Sequence, residues 1–258
     1  MSIIDLSGKV AVVTGGAQGI GRAIAADCAR AGADVVIADL QEEAAEQTAR
    51  QIAGESGRRA LAVRTDVADL ASVQQMAGRV LAELGQVDVL VNNAGWDRFN
   101  LFLKTEPEFW DRVIAINYKG VVHTCYALLP HMVERNTGAI VNIASDAGRG
   151  GSLGESIYAG CKAGVIAFSK TLAREHARNN IRVNVVAPGI TDTALLAAMS
   201  EPELGGKAIA AIVKSIPLGR RPGRTDEISP AVVFLASEAA SYITGQVLSV
   251  NGGLTMVD

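Results

Sequence analysis

Residues 10–21 read VAVVTGGAQGIG, an apolar run followed by a glycine-rich turn that leads into a segment with helical periodicity. An apolar run that ends in a turn is typical of a strand buried on both faces. Glycine permits a tight turn and close approach to the backbone, and the free N–H groups of a helix N-terminus stabilise a pyrophosphate. The stretch therefore predicts a strand, a phosphate-binding turn and a helix beginning at Arg22, with a plain connection as the alternative for the turn alone.

The same alternation of strand and helix continues along the chain. Apolar runs that fit buried strands lie at residues 10–13, 35–38, 61–63, 87–91, 140–143, 181–186 and 247–250. Segments with helical periodicity lie at residues 23–31, 42–53, 72–84, 110–134 and 158–177. Strands that alternate with helices are typical of an α/β fold. Because crossovers between parallel strands are right-handed, such units stack into a doubly wound sheet. We expect one Rossmann-type domain over residues 1–258, a doubly wound, seven-stranded parallel sheet flanked by helices on both faces, with its binding crevice at the carboxyl ends of the strands.

Composition limits the classes of partner. Of the 258 residues, 49% are hydrophobic and 20% are charged, and the net charge of −3 has no basic stripe of the kind that binds nucleic acid. The three cysteines have no metal-type spacing and fit a reducing compartment. The N-terminal residues lack the pattern of a signal peptide, and no apolar run is long enough for a membrane helix. We expect a cytoplasmic protein that binds small molecules and no metal, nucleic acid or membrane.

Asp39 ends the second predicted strand, residues 34–39, twenty residues after Gly19. An acidic residue at this spacing accepts hydrogen bonds from the adenosine ribose of a dinucleotide. A carboxylate there repels the 2′-phosphate of NADP, and neither Gly16 nor Leu40 supplies a compensating cation, so the predicted cofactor is NAD. Two alternatives stay open: Asp39 caps the next helix, or Arg22 assists NADP.

Ser145, Tyr158 and Lys162 form the candidate catalytic group. Ser145 ends the predicted strand at residues 139–145, and Tyr158 and Lys162 are four residues apart on one face of a predicted helix. A tyrosine with a pKa of about 10 needs roughly 4 kcal/mol of phenolate stabilisation to act as a base near pH 7. An ammonium group about 4 Å away supplies that order of energy at an effective dielectric near 20. We therefore predict that Lys162 lowers the pKa of Tyr158; taken singly, Ser145 is equally a helix cap and Tyr158 a residue at the edge of the core.

Several motifs in this order resemble the short-chain dehydrogenase/reductase family over essentially the whole chain. The matching positions are residues 14–21, 66–67, 92–95, 117, 145, 158, 162, 188–189, 191 and 193. The resemblance implies an NAD-dependent oxidoreductase that interconverts a secondary alcohol and a ketone. It implies that Tyr158 is the general acid/base, that Ser145 positions the substrate oxygen and that Lys162 also holds the nicotinamide ribose. Asn117 would hold a water that links Lys162 to solvent, with a buried amide that satisfies the backbone as its alternative.

The resemblance and the glycine-rich turn together predict the residues of the binding sites. The predicted cofactor residues are Gly15, Gln18, Gly19, Ile20, Gly21, Asp39, Leu40, Asp66, Val67, Asn93, Ala94, Gly95, Tyr158, Lys162, Pro188, Gly189, Ile190, Thr191 and Thr193. The predicted substrate residues are Trp96, Ser145, Asp146, Tyr158, Gly189, Leu195 and Leu196. Residues 190–215 are a candidate lid over the substrate, or an ordinary helix that covers the core.

Substrate and assembly are less specifically indicated. Residues 92–97, 142–147, 191–196, 216–220 and 245–256 are similar to members of the family that act on cyclic hydroxyacyl-CoA esters. The alternatives are a 3-oxoacyl-[acyl carrier protein/CoA] reductase, an aryl or cyclic secondary-alcohol dehydrogenase, and a catalytically silent nucleotide sensor. The family commonly forms tetramers through the helices predicted at 110–134 and 158–177 and the final strand, so we expect a homotetramer.

Overall fold

The computed structural model describes residues 4–200 and 203–257. Seven parallel strands form one sheet in the order β3-β2-β1-β4-β5-β6-β7, which confirms the predicted doubly wound fold. The strands are β1 Val10–Thr14, β2 Asp34–Asp39, β3 Ala60–Arg64, β4 Val89–Asn92, β5 Gly138–Ile143, β6 Ile181–Pro188 and β7 Val247–Val250. The strand order reverses between β1 and β4, and a crevice forms at that reversal, at the carboxyl ends of both strands.

Helices cover both faces of the sheet. They are α1 Gly19–Arg30, α2 Glu42–Ser56, α3 Leu70–Leu84, α4 Pro107–Ile114, α5 Gly120–Arg135, α6 Ala147–Gly150, α7 Ser156–His176, α8 Ala194–Ser200, α9 Glu203–Ser215 and α10 Thr225–Ala236. A π-helical turn, Ala115–Lys119, joins α4 to α5. The strands between them bury most of their residues, as near-continuous apolar runs in a parallel sheet do.

The core consists of two apolar clusters, one on each face of the sheet. On one face, Ile24 of α1 and Val232 of α10 pack against strand residues that include Val13. On the other face, Met76 of α3 and Leu128 of α5 pack with α7 against alternate strand residues. Cys28, Cys125 and Cys161 are free and buried within these layers. The two clusters hold the sheet rigid, so the loops at its carboxyl end have a fixed base.

Three boundaries differ from the sequence-based prediction. Helix α1 begins at Gly19 rather than Arg22, because the N–H of Arg22 already donates to the Gln18 carbonyl oxygen at 3.1 Å, the first i→i−4 bond of the helix. Strand β5 ends at Ile143, so Ser145 lies just beyond the strand instead of at its last position. The helix predicted at residues 110–134 is α4, the π turn and α5 in succession.

Candidate active site

A cleft of about 770 Å³ opens at the carboxyl ends of the strands. Its floor includes the ends of β1, β2, β5 and β6, and its outer wall comes from α8, α9 and the loop that follows β4. This is the position at which open α/β sheets bind ligands, where the strand order reverses. Most of the predicted site residues lie on this one surface.

The glycine-rich turn is built for close approach. Gly15 has a φ of 62°, and a Cβ there would lie 2.9 Å from the Cα of Ala94. At Gly21, a Cβ would lie 2.1 Å from the carbonyl oxygen of Gly15. The side chain of Asn93 donates to the carbonyl oxygens of Thr14 and Gly15, both at 3.0 Å, which ties the turn to the end of β4. These contacts leave the cleft side of the turn bare, as a cradle for phosphates requires.

Asp39 lies at the end of β2, is 7% exposed and lines the cleft. Its Oδ2 accepts the N–H of Ala17 at 3.0 Å and its Oδ1 accepts the N–H of Gln41 at 3.0 Å. The N-cap residue of α2 is Gln41, so Asp39 braces that helix and the glycine-rich turn without being the cap itself. The carboxylate keeps free acceptor positions, because each oxygen accepts more than one hydrogen bond.

Two basic residues near Asp39 lie outside the cleft lining. Arg64 pairs with Asp39 across β2 and β3, and the guanidinium of Arg22 donates to Gln51 on the exposed side of α2. Among the described residues that line the cleft, Arg112 and Lys162 are the basic ones, and neither belongs to the β2 end. The part of the cleft at Asp39 therefore carries no basic side chain among the described lining residues.

Tyr158, Lys162 and Ser145 all line the cleft, as predicted. Tyr158 and Lys162 lie one turn apart on α7, and the Lys162 Nζ is 5.4 Å from the centre of the Tyr158 ring. The Lys162 ammonium donates to the carbonyl oxygen of Ile143 at 2.9 Å, and its side chain is buried. The Ser145 Oγ accepts the N–H of Ala147 at 3.1 Å, so it supports the start of α6 while it faces the cleft.

Gly148 is a residue that the sequence did not reveal. A Cβ at this position would lie 2.7 Å from the Lys162 carbonyl carbon and 2.8 Å from the Lys162 Cβ. Its bare Cα lets α6 pack directly on α7, which brings the segment after Ser145 against the Tyr158 helix. A glycine within a glycine-rich loop carries no sequence signal that separates this contact from a simple turn.

The prediction that Lys162 lowers the pKa of Tyr158 was wrong for the chain on its own. Burial raises the pKa of Tyr158 above its usual value of about 10, the carboxyls of Glu155 and Asp97 raise it further, and hydrogen bonding with Ser145 opposes them. Burial also lowers the pKa of Lys162 to about 8, despite the opposing effects of Cys161 and Asp97. The estimate from sequence counted the lysine charge alone, and omitted burial of the phenol and two carboxyls from other positions.

Asn117 is a buried residue of the π turn that joins α4 to α5. Its side chain is fully buried in the π turn, where Nδ2 donates to the carbonyl oxygens of Trp96 at 2.6 Å and Val113 at 2.9 Å. Its Oδ1 accepts the N–H of Trp96 at 3.3 Å. These bonds match the alternative role of a buried amide that satisfies the backbone, and they fix the loop after Gly95 beside Lys162. The predicted water that links Lys162 to solvent stays a prediction. A π turn at this point is typical of functional sites.

The remaining predicted residues divide into two groups. The cleft surface includes Gln18, Gly19, Ile20, Leu40, Asp66, Val67, Asn93, Ala94, Gly95, Pro188, Gly189, Ile190, Thr191 and Thr193, and of the substrate set Trp96, Asp146, Leu195 and Leu196. Gly21 is not on that surface; its place is the close contact with Gly15 described above. The Asp146 carboxylate accepts from Ser249 at 3.1 Å and Asn251 at 2.6 Å, so it braces β7 and the residue that follows it while it lines the cleft.

The cleft surface extends beyond the individually predicted site residues. Met199, Ile209 and Ile212 belong to the candidate lid predicted at residues 190–215, and the further lining residues include Phe99, Arg112, Ile116, Leu153 and Glu155. The Arg112 guanidinium lies 3.8 Å from the centre of the Trp96 ring, a cation–π contact between α4 and the loop after β4. The candidate lid is the helix pair α8 and α9, whose apolar residues face the cleft. These contacts join segments far apart in sequence, which periodicity does not reveal.

Comparison with known proteins identifies the class. The family model described as Enoyl-(Acyl carrier protein) reductase matches residues 15–255. Its extent, together with the seven-stranded fold and the Tyr158–Lys162 pair, places the chain in the short-chain dehydrogenase/reductase family, to which it belongs.

Individual relatives refine this class. The chain is 42% identical to 3-oxoacyl-[acyl-carrier-protein] reductase FabG of Chlamydia muridarum, over 96% of this chain and 98% of that one. It is 41% identical to the protein of the same name from Escherichia coli, over 98% of this chain and 100% of that one. Among solved structures, levodione reductase superposes with a TM-score of 0.91 at 32% identity, with 96% of this chain and 98% of that chain covered.

Membrane-spanning helices and metal-binding clusters would each indicate a particular kind of partner. None of the helices there combines the length and apolar character that crossing a membrane requires. Within the same residues, the His, Cys, Asp and Glu side chains form no group of three or more that could hold a metal ion.

Proposed function

We propose that the chain interconverts a ketone and a secondary alcohol with NAD, and that its substrate is a 3-oxoacyl or 3-hydroxyacyl thioester. The observation that carries the reaction type is the meeting of Tyr158, Lys162 and Ser145 on the surface of one cleft, next to a glycine-rich turn. A nucleotide sensor, the non-enzymatic alternative, has no use for this group, so a chain without turnover on any carbonyl or alcohol would restore that alternative.

The residues fit a nicotinamide dinucleotide. The bare surfaces of Gly15 and Gly19 would hold the pyrophosphate, Asp39 the adenosine ribose, and Lys162 the ribose next to the nicotinamide. When bound, the nicotinamide exchanges a hydride with the substrate carbon that carries the oxygen. Every other part of the reaction falls to the side chains of this chain.

Tyr158 handles the proton. In ketone reduction, its hydroxyl donates a proton to the carbonyl oxygen, while the Ser145 hydroxyl holds that oxygen in place. The raised pKa of Tyr158 keeps the phenol protonated at neutral pH, which suits proton donation. In alcohol oxidation, Tyr158 takes the proton from the hydroxyl, and this direction requires positive charge near the phenolate.

Asp39 supports NAD over NADP. The carboxylate is fixed by two backbone N–H groups, and the cleft residues around it include no basic side chain among those described. We therefore expect kcat/KM with NADH to exceed that with NADPH by at least about 10-fold, which corresponds to roughly 1.4 kcal/mol. Initial rates with both cofactors at one substrate concentration decide this point, and a preference for NADPH would contradict it.

The relatives and the lid support the substrate class. Two relatives at 41–42% identity are named 3-oxoacyl-[acyl-carrier-protein] reductases. Leu195, Leu196 and Met199 give the outer wall an apolar character that suits an acyl chain. A second candidate is a cyclic hydroxyacyl-CoA ester of the 2-hydroxycyclohexanecarboxyl-CoA type, favoured by the similar stretches at residues 92–97 and 142–147. A panel of straight-chain 3-oxoacyl-CoA, 2-oxocyclohexanecarboxyl-CoA, which is a cyclic 3-oxoacyl thioester, and free cyclic ketones, with NADH oxidation as the readout, separates the straight-chain from the cyclic substrate.

A homotetramer remains part of the proposal. Tyr126 on α5 is 66% exposed and Leu248 on β7 is 40% exposed, and both lie on elements through which the family commonly assembles. Exposed apolar residues on such elements support burial between copies. Light scattering coupled to size exclusion measures the mass directly, and a monomer would contradict this assignment.

A further inference from the structure

Asp97 is a buried carboxyl that the proposed reaction does not use. It follows Trp96 in the loop after β4 and is only 4% exposed. Its Oδ2 has no hydrogen-bond partner among the residues that the structure describes. An ionised carboxylate in such surroundings is costly, so an oxygen of this kind calls for a physical explanation.

Several charged and titratable groups face Asp97. Glu155 lies just before α7, and Tyr158, Cys161 and Lys162 lie on the first turns of that helix. Arg98 acts on it through its backbone N–H. The guanidinium groups of Arg98 and Arg112 are held against the rings of Phe109 and Trp96, respectively. Two contacts place the loop that carries Asp97 against the start of α7. A Cβ at Gly95, two residues before Asp97, would lie 3.7 Å from the Lys162 Nζ, and the N–H of Asn100, three residues after it, donates to the Gly154 carbonyl oxygen at 2.9 Å.

The coupling is reciprocal. Burial raises the pKa of Asp97 to about 7 and Glu155 adds to this, while the Arg98 N–H and Lys162 act in the opposite direction. In turn, the Asp97 charge raises the pKa of Tyr158 and the pKa of Lys162. A carboxyl that changes charge near neutral pH therefore changes the acidity of the proposed proton donor.

We propose that Asp97 is a positioning residue whose buried carboxyl sets how firmly Tyr158 holds its proton. The inference rests on the proposed role of Tyr158. With Asp97 protonated, the phenol releases its proton more readily. With Asp97 ionised, the phenol retains its proton and Lys162 retains its positive charge, which favours ketone reduction at and above neutral pH.

The test compares Asp97→Asn with the wild type in alcohol oxidation, where Tyr158 must lose its proton. Removing the carboxylate lowers the pKa of Tyr158, so the acidic limb of the profile of kcat/KM against pH moves to lower pH, by about one pH unit. Glu155→Gln moves it in the same direction. The matched control is Asp111→Asn, an exposed carboxyl on α4, which leaves the limb in place. A profile of Asp97→Asn that superimposes on the wild type, or is scaled down equally at every pH, overturns the proposal.

A second measurement does not need turnover. A carboxyl whose pKa is raised in the folded state contributes stability below its unfolded pKa, near 4, and this contribution is lost as pH rises towards 7. The denaturant midpoint of the wild type therefore falls relative to that of Asp97→Asn between pH 4 and pH 7. A constant difference over this range overturns the proposal even if the enzyme is active. If the midpoint shifts as expected but no substrate is turned over, the proposed function fails. The raised pKa of the buried Asp97 carboxyl is then supported on its own.

Discussion

The two ends of the cleft differ in how they are built. The part of the cofactor end that would hold the pyrophosphate and the adenosine ribose comes from one continuous stretch, β1, the glycine-rich turn, α1 and β2, braced by Asn93 and by the Asp39 carboxylate. The substrate end is assembled from separate segments: the loop after β4, the residues before α7, and the helices α8 and α9. Local sequence therefore determines the first end, and tertiary packing determines the second.

This difference has a functional consequence. A phosphate cradle needs only backbone N–H groups and space, which glycines close together in sequence supply. Substrate recognition needs side chains, which this fold draws from loops on its rigid scaffold. Tyr158 and Lys162 lie at the junction, on a long helix whose first turns face both ends. Changes at the junction, at the cofactor end and at the substrate end should then have effects of decreasing size.

The largest effect is expected at the junction. Tyr158→Phe removes the proton donor and keeps the ring, so kcat/KM should fall by about 10³-fold, within the usual range for general acid–base catalysis. Binding of NADH, measured by the quenching of protein fluorescence, should change by less than about 3-fold, a free-energy change of well under 1 kcal/mol. Tyr242→Phe, at a fully exposed tyrosine outside the cleft lining, is the control and should keep full activity. Near-normal turnover of Tyr158→Phe would mean that another group moves the proton.

At the cofactor end, Gly21→Ala tests the close packing. The new Cβ would lie 2.1 Å from the Gly15 carbonyl oxygen and 2.5 Å from the Asn93 Nδ2. Because backbone must shift to relieve the first contact, we expect a loss of about 1–3 kcal/mol in the free energy of unfolding, together with weaker NADH binding. Gly54→Ala on α2 is a matched control, since its Cβ would meet nothing within 4 Å. It should stabilise the protein by up to about 1 kcal/mol, as Ala does in a helix interior.

The fold and part of the active site could be predicted from the sequence. The seven-stranded fold, the glycine-rich turn and the spacing of Tyr158 and Lys162 are local patterns, and their placement in the structure agrees with them. The acidity of Tyr158 was predicted with the wrong sign, because Asp97 and Glu155 approach it only in the folded chain. The backbone partners of the Asn117 amide could not be predicted for the same reason, since Trp96 comes from another loop.

Asp39→Ala probes the selectivity of the cofactor end. Loss of the carboxylate removes both the acceptor for the ribose hydroxyls and the repulsion of a 2′-phosphate, so the NADH-to-NADPH ratio of kcat/KM should fall by about 10-fold or more, roughly 1.4 kcal/mol. The N–H groups of Ala17 and Gln41 also lose their acceptor, so a modest drop in melting temperature accompanies the change. The ratio is the decisive quantity because loss of stability affects both cofactors alike. An unchanged ratio would remove Asp39 as the selectivity residue.

The smallest effect is expected at the substrate end, with Leu196→Ala on α8. Leu196 lines the cleft and is only partly buried, so its truncation removes contacts with the acyl chain and little of the core. We expect KM for a medium-chain 3-oxoacyl-CoA to rise by about 3- to 10-fold, as loss of roughly 1 kcal/mol of apolar contact implies, with the melting temperature nearly constant. Leu204→Ala on α9, 52% exposed and outside the cleft lining, should leave KM unchanged. Because many separate segments share the binding of substrate, no single one of them should dominate it. A loss of kcat/KM in Leu196→Ala as large as that in Tyr158→Phe would contradict this difference between the two ends.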